Sequence, residues 1–378
     1  MMPIPILRGD GGGSMKKVRL GDVCEIISGS TPKTGVAEYW DGEFKWITPA
    51  ELNEETYIIN DSVRHITEIG IQKTGLKPFP EGTVILSSRA PIGKTAIAGC
   101  EMYCNQGFKN LICSDEIYNK YLYFFLTSKT EYLNSLGRGA TFKEISKKIV
   151  ESIEINLPTI EEQKAISEQF EQLDELLKIK KDELKEIDNL VKSRFIEMFG
   201  NVVNSPKYSG IPLGTICSTL SGGTPTTKIP EYYQGDIPWI STPYLGNNHI
   251  NGNTAKAYIT EDAIKNSATH LIPANTIMFG IRVGVGKSSI IDEPMCANQD
   301  TVALMGIDTE KYNLLFIKHT LDGYQSHFDS IKKGATILGI TTDDLKKVLI
   351  PDVDIKLQNQ FADFVEQTDK LKFDDLRV

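Results

Sequence analysis

Three short stretches carry residues able to do chemistry, and each occurs twice. Arg89 is followed by Gly93-Lys94-Thr95, and Arg282 by Gly286-Lys287-Ser288. A Gly-Lys-hydroxyl step is how a phosphate cradle ends, but a cradle also needs a glycine five residues before the second one. Those positions hold Ser88 and Ile281, which argues against nucleotide hydrolysis. Arg and Lys on a strand–turn–strand fit a polyanion contact, because they pair with phosphates and guanine edges. The second stretch is Ser28-Gly29-Ser30-Thr31-Pro32-Lys33-Thr34, mirrored by Ser221-Gly222-Gly223-Thr224-Pro225-Thr226-Thr227. Its hydroxyls and backbone N–H groups suit phosphate or base edges, although a plain helix-ending turn reads the same way. The third is Gly137-Arg138-Gly139-Ala140-Thr141-Phe142-Lys143, mirrored by Ile331-Lys332-Lys333-Gly334-Ala335-Thr336. It is either a basic contact loop or a solvated one.

Other chemistry lacks its residues. His65, His249, His270, His319 and His327 are isolated, and none is mirrored between the copies. No Gly-x-Ser-x-Gly elbow and no His-Glu-x-x-His pair occurs. Thr242-Pro243-Tyr244 is not the Asn/Asp-Pro-Pro-Tyr/Phe tetrad of a base methyltransferase. The six cysteines show no Cys-x-x-Cys spacing, so no metal is expected, and free thiols suit a reducing cytoplasm. These residues describe a reader or a scaffold.

The doubling of the motifs extends along the chain. Leu20-Gly21-Asp22-Val23-Cys24 returns as Leu213-Gly214-Thr215-Ile216-Cys217, an offset of 193 residues. At that offset Trp46-Ile47 meets Trp239-Ile240, Arg89 meets Arg282, and Asn105-Gln106 meets Asn298-Gln299. After a two-residue slip Gly139-Ala140-Thr141 meets Gly334-Ala335-Thr336. So long a period means tandem domains rather than small stacked repeats. Each copy reads as mixed α/β: a helical opening (Arg19–Ile27, Pro212–Leu220), strand-like runs such as Phe44–Ile47, Thr83–Ser88 and Ser288–Ile291, then a late helix at Tyr118–Leu126 or Lys311–His319.

Between the copies lies Thr159–Phe199, where Ile166, Phe170, Leu173, Leu177, Leu184, Ile187, Val191 and Met198 recur at steps of four and three. That rhythm predicts a helix of on the order of 60 Å whose seam needs a partner helix. The seam restarts with Phe361, Val365 and Leu371. The expected organisation is a tag and linker at 1–14, a domain at 15–158, a helix at 159–200, a linker at 201–210, a second domain at 211–351, and a shorter helix at 352–378. The composition, 40% hydrophobic and 24% charged with a net charge of −9, suits a soluble cytoplasmic protein that meets polyanions through local patches. No apolar run approaches the roughly 18–20 residues of a membrane span.

The combination of two Leu-Gly…Ser-Gly-x-Thr-Pro…Arg…Gly-Lys…Asn-Gln…Gly-Ala-Thr domains, each ending in a proline and a Gln-containing helix, resembles the DNA-specificity subunit of Type I restriction–modification systems. The resemblance runs from Met15 to the C-terminus. It implies two target-recognition domains reading a split duplex sequence, separated by long helices that form an antiparallel coiled coil. It also implies no catalysis and no cofactor in this chain. S-adenosylmethionine, ATP and Mg would belong to partner modification (adenine methyltransferase) and restriction/translocase subunits. Candidate DNA contacts are Thr31, Lys33, Thr34, Lys45, Arg89, Lys94, Arg138, Thr141 and Lys143 in the first copy. In the second they are Thr224, Thr226, Thr227, Lys228, Arg282, Lys287, Lys332, Lys333 and Thr336. Base reading is expected where the copies differ, as at Lys33 against Thr226 and Lys45 against Pro238. The shorter second helix departs from the family and leaves Leu184–Met198 without a full partner, so a homodimer completing the seam stays open. A coiled-coil adaptor whose domains bind protein is the competing reading.

Overall fold

The computed structural model describes residues 16–53, 55–139, 143–334 and 337–375. The proposed tag at 1–14, together with Thr141 and Thr336, lies outside the described residues. The chain divides into two compact units, one up to Ile179 and one from Lys180.

In the first unit the run Val84–Ser87 is buried along its whole length. Alternate residues of a strand face opposite sides, and here both sides are apolar. Val84 and Leu86 join a cluster with Leu111, Leu122 and Leu126. Ile85 joins another with Ile47, Phe79 and Met102. This strand is central in a five-stranded sheet ordered Cys24–Ser28, Phe108–Cys113, Val84–Ser87, Thr95–Ala98 and Ile58–Ile59. Its first three pairings are antiparallel and its last is parallel. A second sheet sets Trp40–Ile47 between Arg64–Ile66 and Tyr103–Cys104. The second unit repeats both sheets: Ser218–Ser221, Thr301–Met305, Thr276–Gly280, Ser288–Ile291 and His249–Ile250, then Ala257–Ile259, Ile237–Ile240 and Cys296–Ala297.

The expected helical openings are corrected. Only Leu20–Val23 and Leu213–Ile216 turn once as helix before the chain extends into strands Cys24–Ser28 and Ser218–Ser221. The leucine opening each turn is fully buried, and one helical turn suffices to bury it. The strands that follow fill a sheet edge. The late helices form at Asn119–Ser128 and Leu314–Gly323.

The long helix spans Ile160–Phe199. Thr159 and Glu162 open it with a capping box, each accepting from the other's backbone N–H. Its two halves do different things. In the first unit Gln163 and Ser167 are fully buried and Phe170 stacks on Phe124 at 5.2 Å. Here the helix packs on its own globular unit, and Leu173 and Leu177 are about half exposed. In the second unit Phe195 and Phe199 pack on Phe361 at 5.2 and 5.8 Å, and Lys372 reaches Asp188 at 2.7 Å. Those pairs run the helix Ile355–Asp375 antiparallel to the second half of the long helix.

Two expectations about the seam change accordingly. The second helix does cover the stretch from Phe199 back to Asp188, including buried Val191. The seam is not continuous, since Leu173, Leu177 and Leu371 are exposed; Leu371 is 59% exposed and the buried position beside it is Thr368. Ile166, Phe170, Leu184, Ile187 and Met198 are half-buried, and Phe361 and Val365 are fully buried.

Candidate nucleic-acid interface

The Ser-Gly-x-Thr-Pro loop follows a sheet-edge strand in each unit, and the same contacts brace it twice. Ser30 N donates to the Cys104 carbonyl at 3.0 Å, and Gly223 N to the Ala297 carbonyl at 2.8 Å. The Trp46 indole donates to the Ser30 carbonyl and the Trp239 indole to the Gly223 carbonyl, both at 3.0 Å. A second aromatic holds the far side: Trp40 donates to the Lys33 carbonyl at 3.2 Å, and Tyr233 to the Pro225 carbonyl at 2.7 Å. Thr31 bonds Gln106, and Thr224 bonds Gln299. The close approach explains the glycine. A Cβ on Gly29 would lie 2.0 Å from the Cys104 carbonyl oxygen, and one on Gly222 2.2 Å from that of Asn298. The braces leave Lys33 and Thr34, and Thr226, Thr227 and Lys228, exposed on the loops, with Thr31 half-buried and Thr224 exposed.

The Asn-Gln segment joins this loop to the arginine turn. Ser88 N donates to the Gly107 carbonyl at 2.7 Å, and Ile281 N to the Asp300 carbonyl at 2.9 Å. The arginine turn is a hairpin between two sheet strands, closed by Gly93 N to the Ser87 carbonyl and Gly286 N to the Gly280 carbonyl, each 3.1 Å. A strand follows the lysine, not a helix, so no phosphate cradle is built. Lys94 Nζ donates to the Pro49 and Leu52 carbonyls at 3.2 and 2.5 Å. Lys287 Nζ donates to the Pro243 carbonyl at 3.2 Å. Both lysines thus hold the 3₁₀ turn beside them.

The basic loop completes the cluster. Ile145 N meets the Ser88 carbonyl and Ile340 N the Ile281 carbonyl, each at 2.9 Å. Arg138 and Lys143 are exposed, as is Lys333, whereas Lys332 is half-buried and paired with Asp329 at 2.5 Å. The units then diverge. Arg89 pairs with Glu144 at 2.9 Å, and the buried Lys109 reaches the same carboxylate at 3.3 Å. Burial disfavours the Glu144 charge, yet hydrogen bonds from Arg89 and Lys109 hold its carboxyl below the usual range. In the second unit Gly339 takes the place of Glu144, and Arg282 lies 3.8 Å from Asp300. Lys45 stands apart from the cluster, donating to the Asn60 carbonyl at 2.8 Å.

Sequence reading missed Glu144, whose signal was only an acid beside a basic loop. It also left the helix glutamines without a role. Gln163 accepts from Tyr118 N and donates to the Glu116 and Pro158 carbonyls. Gln358 repeats all three bonds on Asn313, Lys311 and Val353.

Twin mixed α/β units, each with one braced loop cluster and a helix clamped by glutamine, define a duplicated two-unit scaffold. The model of the Type I restriction modification DNA specificity domain matches residues 13–189 and 208–375. The chain belongs to that family and carries its domain twice. Among relatives, the Type I restriction enzyme MjaIX specificity subunit of Methanocaldococcus jannaschii is 34% identical over 286 residues, 70% of this chain and 65% of that one. The EcoR124I/EcoR124II specificity subunit of Escherichia coli is 31% identical over 42% of this chain and 40% of its own. The chain thus spans less than two thirds of either relative. A chain from a structural study of type I R-M assembly and conformational transition shares the fold, with a TM-score of 0.57 at 17% identity over 96% of this chain and 93% of that one. The S subunit from M. genitalium does so at 0.51 and 16%, over 97% and 92%.

Proposed function

We propose that this chain is a non-catalytic subunit that reads a bipartite duplex DNA sequence, one unit per half-site. The carrying observation is that each unit braces its loop cluster with largely the same contacts while differing in the residues exposed on it. Shared braces are scaffold; differing exposed residues are where base edges are told apart. Adenine methylation, and any ATP-driven restriction, belong to partner subunits in the cytoplasm, and with them S-adenosylmethionine, ATP and Mg. The exposed stripe Leu173, Leu176, Leu177 and Ile179 offers those partners an apolar face. A homodimer through the same stripe would give a concentration-dependent mass in equilibrium sedimentation, and a clean monomer would remove it.

The deciding experiment is a binding selection from random duplex DNA, using the chain with its modification subunit at near-physiological salt. Two short motifs at a fixed gap are expected. A stable complex that recovers no motif would move the function to a protein-binding adaptor.

A further inference from the structure

The second unit ends its arginine hairpin in apolar side chains. Val283, Ile337 and Leu338 are 48, 53 and 56% exposed. Arg282 pairs with Gly339 across an isolated antiparallel bridge, and Val283 and Leu338 each lie one residue along the chain from that contact. Val283 has a φ of 34°, a left-handed conformation that a β-branched residue rarely adopts. Strain of this kind collects at ligand clamps and recognition sites, and burial of the Val283 side chain does not explain it here. Two exposed cations flank them, Arg282 and Lys333, each bridged to Gly339; Arg282 also lies 3.8 Å from Asp300.

Apolar side chains flanked by positive charge complement the surface of duplex DNA. Duplex DNA sets apolar base faces and thymine methyl groups between rows of phosphates. We propose that Val283, Ile337 and Leu338 form an apolar probe that seats against base steps in a DNA groove, with Arg282 and Lys333 on the flanking phosphates. The inference rests on the DNA-reading function above and names how one unit performs it. The first unit has a different surface at the same place. Ala90 stands for Val283, Lys143 for Leu338, and Glu144 pairs with Arg89 at 2.9 Å where Gly339 leaves Arg282 only the longer 3.8 Å approach to Asp300. Phe142, the counterpart of Ile337, lies outside the described residues. One scaffold therefore presents a lysine beside an Arg89–Glu144 pair in one unit, and exposed apolar residues flanked by Arg282 and Lys333 in the other.

The test runs the random-duplex selection in parallel on the wild-type chain and the Ile337→Ser/Leu338→Ser variant, each with its modification subunit, at about 150 mM salt. The variant should recover one half-site unchanged and the other relaxed. Its affinity for the wild-type-selected duplex should fall roughly tenfold to a hundredfold. The salt slope should not move, because apolar contacts release no counterions. Both half-sites recovered intact would overturn the proposal, as would a variant that keeps its DNA motif but loses the modification subunit. A wild-type selection without any motif would instead overturn the DNA-reading function itself. Ile337→Leu/Leu338→Ile should restore the relaxed half-site; a variant that stays relaxed with apolar residues back in place would also sink the probe.

Discussion

Lys94 and Lys287 show how a residue's type can mislead about its role. Both follow a glycine in a phosphate-binding idiom, yet each directs its ammonium group onto backbone carbonyls of a neighbouring turn. His319 is the converse: it has no counterpart in the first copy, and its environment alone makes it matter. Its side chain, 11% exposed, packs edge-on against Phe361 at 5.3 Å, with Asp322 at 3.5 Å from Nδ1 and a buried Nε2 that has no hydrogen-bond partner among the described residues. Burial, with Lys318 and Lys372 nearby, holds it well below its ordinary value, against the opposing pull of Asp369 and Asp188. The folded chain therefore keeps His319 neutral where the unfolded chain takes up a proton. Its contribution to stability is present above about pH 6.5 and is lost as pH falls below that, by up to about 1.4 kcal/mol per pH unit until the folded group itself titrates. Urea unfolding at pH 7.5 and 5.5 should show a larger loss for wild type than for His319→Leu. An equal loss in both would mean that other groups carry the acid sensitivity.

At the scale of elements, the helix glutamines decide what is fixed. Gln358 is 1% exposed and makes three bonds to backbone groups of the same unit. Removing it leaves those groups buried and unmatched, so Gln358→Ala should cost about 2–4 kcal/mol. Leu371→Ala, at a 59% exposed position, should change stability by less than about 0.5 kcal/mol. Thermal unfolding of both variants checks the contrast. The same residues show what was legible in the sequence. Heptad spacing found the helix, because its period is local. It assigned Leu371 to the seam and passed over Phe195, because which stripe of a helix is buried depends on the surface it meets. The one-turn helices at Leu20 and Leu213 were over-read for a related reason: helical and strand patterns coincide over so few residues.

For the whole molecule, the repeat is the legible fact. A 193-residue offset announced two domains of one design, and the structure places Ser-Gly-x-Thr-Pro, Asn-Gln and Arg-Gly-Lys in one cluster in each. The glutamine and tryptophan bonds were beyond a sequence reading, since periodicity and motif spacing do not say which backbone group a side chain meets. So was the neutralisation of Arg89 by Glu144, 55 residues on. Exchanging residues 15–158 for those of another family member should alter one half-site and leave the other and the gap unchanged. Selection from random duplexes reads this directly, and a change in both halves would show that the units do not read independently.

The glutamine clamp has a consequence for inheritance. Each copy carries its own clamp, tying the start of its helix to its own sheet-bearing part, and its own braces around the loop. A genetic crossover inside the middle of the long helix would cut neither set. Two parents could exchange halves there, and each offspring would receive complete instructions for both units. New pairings of units could then arise by recombination, with no step through a misfolded intermediate.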